Sequence, residues 1–300
     1  NMWSLGQRVA RIPFGESGTG LSPYPFILLL GQDDNEVLLG EALRALGVSV
    51  QWNTELLALT QHADHVIAKL RDPDGSEREI TTAWVAGCDG ARSTVRELCG
   101  IEFVGAPYEH VFYVADTETT GPMIPDELNA YLWRGGFHLF FPMRGTNRWR
   151  IIGIVPRALR GRDDLTLDPL LPAIRAEAGA ALEVRACNWF STYRIHHRRA
   201  AQFRAGRCFL VGDAAHIHSP MGAQGMNTGL QDAYNLAWKL ALVTSGRAGT
   251  DLLDSYEAER LPVAQQLLRT TDRMFSLLVS DSWVAGLVRT RVLAKIMALA

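Results

Sequence analysis

Apolar residues at helical spacing, Leu39, Leu43 and Leu46, predict a helix from about Asp33 to Leu46. Asp33 and Glu36 have capping-box spacing at its start, and Gly47 stands where a left-handed residue would end it. Val48, Val50 and Trp52 alternate as a strand, and further strands are predicted at Leu56–Leu59 and Val66–Leu70. Asp72-Pro-Asp-Gly75 reads as a turn, because proline fixes one φ and glycine permits a positive one. Thr82–Ala86 reads as a strand that runs into Gly87-Cys-Asp-Gly90.

From about Phe103 to Arg194 the pattern becomes β-rich, with strands predicted at Val111–Ala115, Phe137–Phe141 and Arg150–Val155. Leu165–Ala178 reads as a helix that Pro172 would start or break. Trp133, Phe137, Phe140, Phe141, Trp149, Trp189 and Phe190 gather in this stretch, which suits either a sheet core or a pocket for a flat apolar ligand. Beyond it, Cys208–Val211 is a short apolar strand that meets Gly212-Asp213 and a loop with Gly222, Gly225 and Gly229. A long helix follows, with Leu230, Tyr234, Ala237 and Ala241 on one face and an end near Ser245-Gly246. Leu252–Leu261 is predicted as another helix, with Pro262 in the first turn of the next, and Trp283–Ala300 is an amphipathic tail.

Composition narrows the classes. At 300 residues the chain has room for about two domains or one large α/β unit. With 47% hydrophobic and 21% charged residues it is globular, and a net charge of −2 offers no basic field for nucleic acid. Apolar runs such as Phe26–Leu30 fall far short of a transmembrane helix, and no basic-then-apolar signal opens the sequence. Four scattered cysteines without a C-x-x-C pair argue against a disulfide scaffold or thiolate zinc site and point to a reducing, cytoplasmic setting.

Two constellations carry chemistry. In residues 207–241 a buried strand delivers Asp213 at its carboxyl end, where α/β sheets bind ligands and an aspartate can accept from sugar or polyol hydroxyls. Glycines then let a ligand ring approach backbone, and the amides at the next helix start can hold negative charge. In residues 84–103 a strand ends at Asp89-Gly90, and a short helix follows with Ser93 as N-cap and Gly100 at C′. Arg92 and Arg96, four apart, would share a face as a phosphate or carboxylate site or as solvated surface charges.

Together these segments resemble the single-component FAD-dependent aromatic monooxygenases of the p-hydroxybenzoate hydroxylase and phenol hydroxylase group. Asp89-Gly90-Ala-Arg92-Ser93-Thr-Val-Arg96 is similar to that family's DG motif. Gly212-Asp213, with Gly222, Gly225, Asn227 and Asp232, is similar to its GD motif. Tyr24-Pro-Phe-Ile-Leu-Leu-Leu-Gly-Gln32 also resembles family sequence.

The resemblance implies an α/β fold: a Rossmann-like, glutathione-reductase-type FAD-binding domain at 1–102 and 195–262, a β-rich substrate domain inserted at 103–194, and a C-terminal helical segment at 263–300. It implies NADPH- or NADH-driven hydroxylation of a phenolic or polycyclic aromatic substrate through a flavin hydroperoxide. Asp213 would bind the ribityl chain, and Pro220 with the backbone from Gly222 through Gly225 and Met226 to Asn227 would sit beside the flavin ring. Gln32 would touch the flavin, and Asp89, Gly90 and Arg96 would organise the pyrophosphate and nicotinamide region. The family's G-x-G-x-x-G turn does not occur in this sequence, so the N-terminal βαβ unit is expected to be missing. The alternative is an incomplete remnant that binds an aromatic ligand without turnover. A homodimer is one further expectation.

No catalytic acid or base is fixed by pattern. His138, Tyr193 and Tyr113 are candidates by residue type alone. His216 and His218 lack further ligands at fixed geometry, so no metal is expected. Arg194, His196, His197, Arg198 and Arg199 read as a solvated basic loop rather than as a site for the nicotinamide cofactor's phosphates or an acidic substrate, and Cys88 and Cys99 read as buried small residues.

Overall fold

The computed structural model describes residues 1–4, 6–11, 18–26, 28, 30–133, 136–162, 164–219, 224–279, 282 and 286. The amino-terminal elements are β1 (Met2–Ser4), β2 (Gln7–Ala10), α1 (Gln32–Ala45), β3 (Glu55–Gln61), β4 (Val66–Arg71), β5 (Glu77–Thr82), β6 (Val85–Gly87) and α2 (Thr94–Leu98). The middle of the chain forms β7 (Phe103–Thr120), β8 (Asn129–Trp133), β9 (Gly136–Pro142), β10 (Arg148–Ile154), α3 (Leu171–Ala178) and β11 (Glu183–Ala200). Then come β12 (Arg204–Ala205), β13 (Cys208–Leu210), β14 (His216–Ile217), α4 (Gly225–Thr244) and α5 (Asp254–Val279). Among the described residues no helix is long and apolar enough to cross a membrane.

Two compact units divide the chain, one holding 1–49 and 109–194 and the other 50–108 and 195–275. The sequence-based divisions stand at 102, 194 and 262.

The first unit is built on a sheet in the order β11-β7-β10-β9-β8-β1-β2. The pairs β7–β10, β10–β9, β9–β8 and β1–β2 are antiparallel, and β1 with β8 is parallel. The register puts Tyr131, His138, Gly153 and Tyr113 in one row across four strands. That face carries Tyr113, Ala115, Tyr131, Phe140, Trp149 and Ile151 into a core with Leu167, Leu170, Ile174 and Ala178. Each such apolar side chain contributes about 1.5–3 kcal/mol by leaving water. Pro172 sits in the first turn of α3, where its missing N–H costs nothing, so the helix starts there rather than at Leu165.

Three local expectations fail in and just after α1. The N-cap of α1 is Gly31, without a side-chain cap; Asp33 and Asp34 lie inside the first turn, where they favour the helix dipole. No residue of α1 is buried, so its leucine stripe meets no core among the described residues. Residues 48–52 form no strand, since alternation becomes a strand only where a ladder partner takes up its amides and carbonyls. Gly47 does adopt a positive φ of 77°.

The second unit holds a three-stranded antiparallel meander, β3-β4-β5, and a small sheet in the order β12-β13-β6 in which β13 and β6 run parallel. The Asp72–Gly75 turn joins β4 to β5, with Gly75 at φ 84° donating to the Asp72 carbonyl. Cys208, Phe209 and Leu210 are all buried in a core with Val95, Phe203, Leu236, Leu253 and Tyr256. Gly87 lets α2 press on β6: a Cβ there would lie 2.7 Å from that of Val95. Pro262 lies inside α5 rather than starting a new helix. Burial of Leu253, Tyr256 and Ala264 on either side of it holds the helix continuous despite the lost hydrogen bond. The basic run of β11 is strand, not loop, with Arg198 and Arg199 opposite Ile217 and His216 of β14.

On α4 the sequence pattern picks out the wrong face. Leu230, Tyr234 and Trp238 are exposed and border an open groove of about 680 Å³, whereas Thr228, Asp232, Leu236 and Lys239 are buried. A polar network, described below, makes burial of the charged face possible.

Candidate functional site

β6 and β13 end side by side, and each delivers one motif. The Val211 amide donates to the Gly87 carbonyl at 3.0 Å, so the two carboxyl ends leave the sheet together. After β6, the Asp89 carboxylate accepts from the Val95 amide at 3.0 Å, and Gly90 takes a φ of 78° that a side chain would resist. Ser93 caps α2 by accepting from the Arg96 amide at 3.0 Å, and Gly100 closes the helix at φ 64°. Both caps are as the sequence implies. Arg92 precedes the helix and is exposed, so it shares no face with Arg96.

Arg96 is buried, and its guanidinium donates to two carbonyls, Ala91 at 2.8 Å and Ala214 at 3.0 Å. It also lies 3.9 Å from the Phe103 ring centre. These contacts tie the loop after β6 to the turn after β13. Its hydrogen bonds are to neutral oxygens, and burial pulls its pKa below the ordinary guanidinium value. A buried cation satisfied only by carbonyls is a place where an anion would be favoured.

After β13, Gly212 takes a φ of 60°, and the turn rests on α4, since a Cβ on Gly229 would lie 3.3 Å from the Gly212 Cα. Asp213 follows, exposed. α4 begins at Gly225, the side chain of its N-cap residue Gln224 makes no capping hydrogen bond, and Met226 and Asn227 in its first turn are exposed. Pro220 and Gly222 lie outside the described residues. The His218 Nδ1–H donates to the Ser219 carbonyl at 2.7 Å, and desolvation lowers the pKa of this ring. Among the described residues no three His, Cys, Asp or Glu side chains converge as a metal site.

Below the turn, Asp232 of the GD-like motif joins His216 and Arg260 in a network that the sequence pattern does not reveal. The Asp232 carboxylate, fully buried, accepts from His216 Nε2 at 2.7 Å, the Gly212 amide at 3.2 Å and Arg260 Nε at 2.6 Å. Arg260 also reaches the Thr228 carbonyl at 3.4 Å. Arg260 was missed; a charged aspartate in mid-helix, three residues after a glycine, is the signal that a buried partner such as Arg260 had to exist.

The chain matches the model of a family described as FAD binding domain over residues 7–271. It belongs to that family. It is 40% identical over 263 residues to 6-methylpretetramide 4-monooxygenase of Streptomyces rimosus, covering 87% of this chain and 47% of that protein. It is 37% identical over 260 residues to pentachlorophenol 4-monooxygenase of Sphingobium chlorophenolicum, covering 85% and 48%. Among solved structures it is similar to a ternary complex of aklavinone-11 hydroxylase with FAD and aklavinone. That likeness has a TM-score of 0.80 at 27% identity, over 93% of this chain and 55% of that one. p-Nitrophenol 4-monooxygenase from Pseudomonas putida DLL-E4 matches with a TM-score of 0.78 at 26% identity, over 99% and 78%. The chain spans about half the length of the curated relatives it matches.

The site residues fit this FAD-binding family. The buried Arg96 suits a pyrophosphate. The exposed Asp213 suits ribityl hydroxyls, and the start of α4, the positive end of its dipole, suits an electron-rich ring edge. Gln32 belongs to the other unit, at the first position of α1, where its side chain donates to Glu36 at 3.4 Å. Among the acid–base candidates, Tyr113 and His138 face the core of the first unit, joined by a 2.8 Å hydrogen bond. Tyr193 lies with Phe112, ring centres 6.0 Å apart, and Phe112 is on the opposite face of the sheet from Tyr113. Cys88 is exposed rather than buried, and Cys99 is half-buried.

Proposed function

We propose that this chain holds FAD in an NAD(P)H-dependent monooxygenase that hydroxylates phenolic or polycyclic aromatic compounds. The observation that carries the proposal is the joining of two motif loops, through Arg96, at a turn whose Gly212 rests on α4. The names of the relatives support the aromatic substrate class, since they act on pretetramide, pentachlorophenol and tetracycline-type compounds. When bound, FAD supplies the electron transfer from NAD(P)H to O₂ that ring hydroxylation needs.

In this reading Asp213 accepts hydrogen bonds from the ribityl hydroxyls, and Arg96, with Asp89 and Gly90 shaping its loop, faces the pyrophosphate. The start of α4, Gly225 to Asn227, is assigned to the flavin ring, where the positive end of the helix dipole favours negative charge. Gln32 is assigned to the flavin side of the site, and the sheet unit is assigned the aromatic substrate. His138 lies in a sealed core, so we assign it to structure. Tyr193, on the other sheet face, remains the candidate to touch the substrate. The four cysteines are free thiols, which supports a cytoplasmic placement.

The test is direct. The purified protein should be yellow or take up FAD, and NAD(P)H consumption should rise with a polyphenolic substrate and yield a product heavier by one oxygen. Asp213→Ala should weaken FAD binding by about tenfold or more. A folded protein that cannot be loaded with FAD, or an Asp213→Ala variant with full affinity, would contradict these assignments.

A further inference from the structure

The Asp232 network is an expensive way to hold a fold together. Burying a carboxylate and a guanidinium costs several kcal/mol per ion before their attraction offsets it, and apolar residues of similar size are often equally stabilising. Such a network does fix positions. One carboxylate oxygen takes the Gly212 amide and His216 Nε2–H, both from the segment after β13, and the other takes Arg260 from α5. Gly212 and Gly229 meet without side chains between them, so polar contacts, not packing, set the height of the turn above α4. Arg260 extends the same grip to the Thr228 carbonyl in the first turn of α4. The elements so joined carry Asp213 and the helix start.

We infer that Asp232 and Arg260 are positioning residues for the flavin, holding the Gly212–Asp213 turn and the α4 N-terminus at the spacing at which the cofactor is bound. Neither side chain is assigned to touch the cofactor; they act through Gly212 and Thr228. The inference rests on the FAD reading above.

The test compares the full-chain flavoprotein with Arg260→Ala, Arg260→Lys and Asp232→Asn. Each is read by FAD titration (quenching of flavin fluorescence), by the flavin absorption spectrum and by melting of the apoprotein. The folded Arg260→Ala and Asp232→Asn proteins should bind FAD about 10- to 100-fold more weakly, as for other groups that orient a ligand-holding residue. Arg260→Lys, which keeps charge but loses the planar fork, should fall between them and the parent. Arg260 is 11% exposed and borders the groove along α4, so guanidinium ion at millimolar concentration can reach the vacated space. It should recover most of the FAD affinity of Arg260→Ala.

A purely structural role would lower the melting temperature, leave the affinity of the folded fraction within about twofold, and give no rescue; that result overturns the inference. If Arg260→Ala fails to fold, Arg260→Lys decides, and unchanged affinity there overturns it equally. A parent protein that takes no FAD defeats the functional reading and this inference together, whereas FAD-binding variants indistinguishable from a FAD-binding parent defeat this inference alone.

Discussion

His138 in the sheet unit and His216 in the motif unit are buried to the same degree, at 1% and 2% exposure, yet their partners differ in kind. His138 shares a hydrogen bond with the Tyr113 hydroxyl in an aromatic core, and its Nε2 has no partner among the described residues. Burial pushes its pKa down to about 3, so it stays neutral at ordinary pH. Gly153 makes the pair possible: a Cβ there would lie 2.6 Å from His138 Nδ1 and 2.7 Å from the Tyr113 hydroxyl. His216 instead donates to an aspartate that an arginine and a backbone amide also hold. The first arrangement is a neutral pair fitted into a gap of the sheet, and the second is a charged hub joining three segments distant in sequence. The contrast shows that burial alone does not mark a functional histidine; what matters is whether its partners belong to the elements that carry the site.

The largest effect should come from breaking the hub. Asp232→Ala leaves the Arg260 charge and the Gly212 amide without their acceptor, and denaturant titration should show a loss of about 3–5 kcal/mol. Acid should act next, and on the other unit. The unfolded His138 titrates near 6.5 and the folded one near 3. Between those values the unfolded state binds more protons, so stability is intact above about pH 7 and falls by about 1.4 kcal/mol per pH unit below 6.5. His138→Gln should flatten that slope in urea melts between pH 7 and 5, and an unchanged slope would dissociate His138 from it. Tyr113→Phe is the mildest, costing about 1–3 kcal/mol by leaving a buried imidazole nitrogen without its partner. It should leave FAD affinity untouched, which would sharpen the distinction between the units.

What could be read from the sequence was what depends on near neighbours in the chain. Ser93 as a cap and Gly47, Gly75 and Gly100 as left-handed residues follow from a few consecutive residues and stand in the structure. The two motif loops were legible because each begins where a strand ends in a glycine and an aspartate and leads on to a helix. Where the outcome depended on distant partners, the pattern misled. Leu230 and Tyr234 marked a helix face that is exposed, because the opposite face, with Asp232, is satisfied from Arg260 and from His216 beyond β13. Val48, Val50 and Trp52 alternated but found no neighbouring strand. The meeting of Tyr113 with His138 needed the register of three strands and a glycine in the middle one.

The guanidinium of Arg96 reaches a carbonyl 118 positions away, and so makes the loops after β6 and β13 halves of a single thermodynamic object. Neither loop should open alone. In native-state hydrogen exchange the amides of Val95 and Arg96 should surrender their protons at the same rate as those of Val211 and Ala215, through one shared fluctuation, although no ribosome ever placed them near each other.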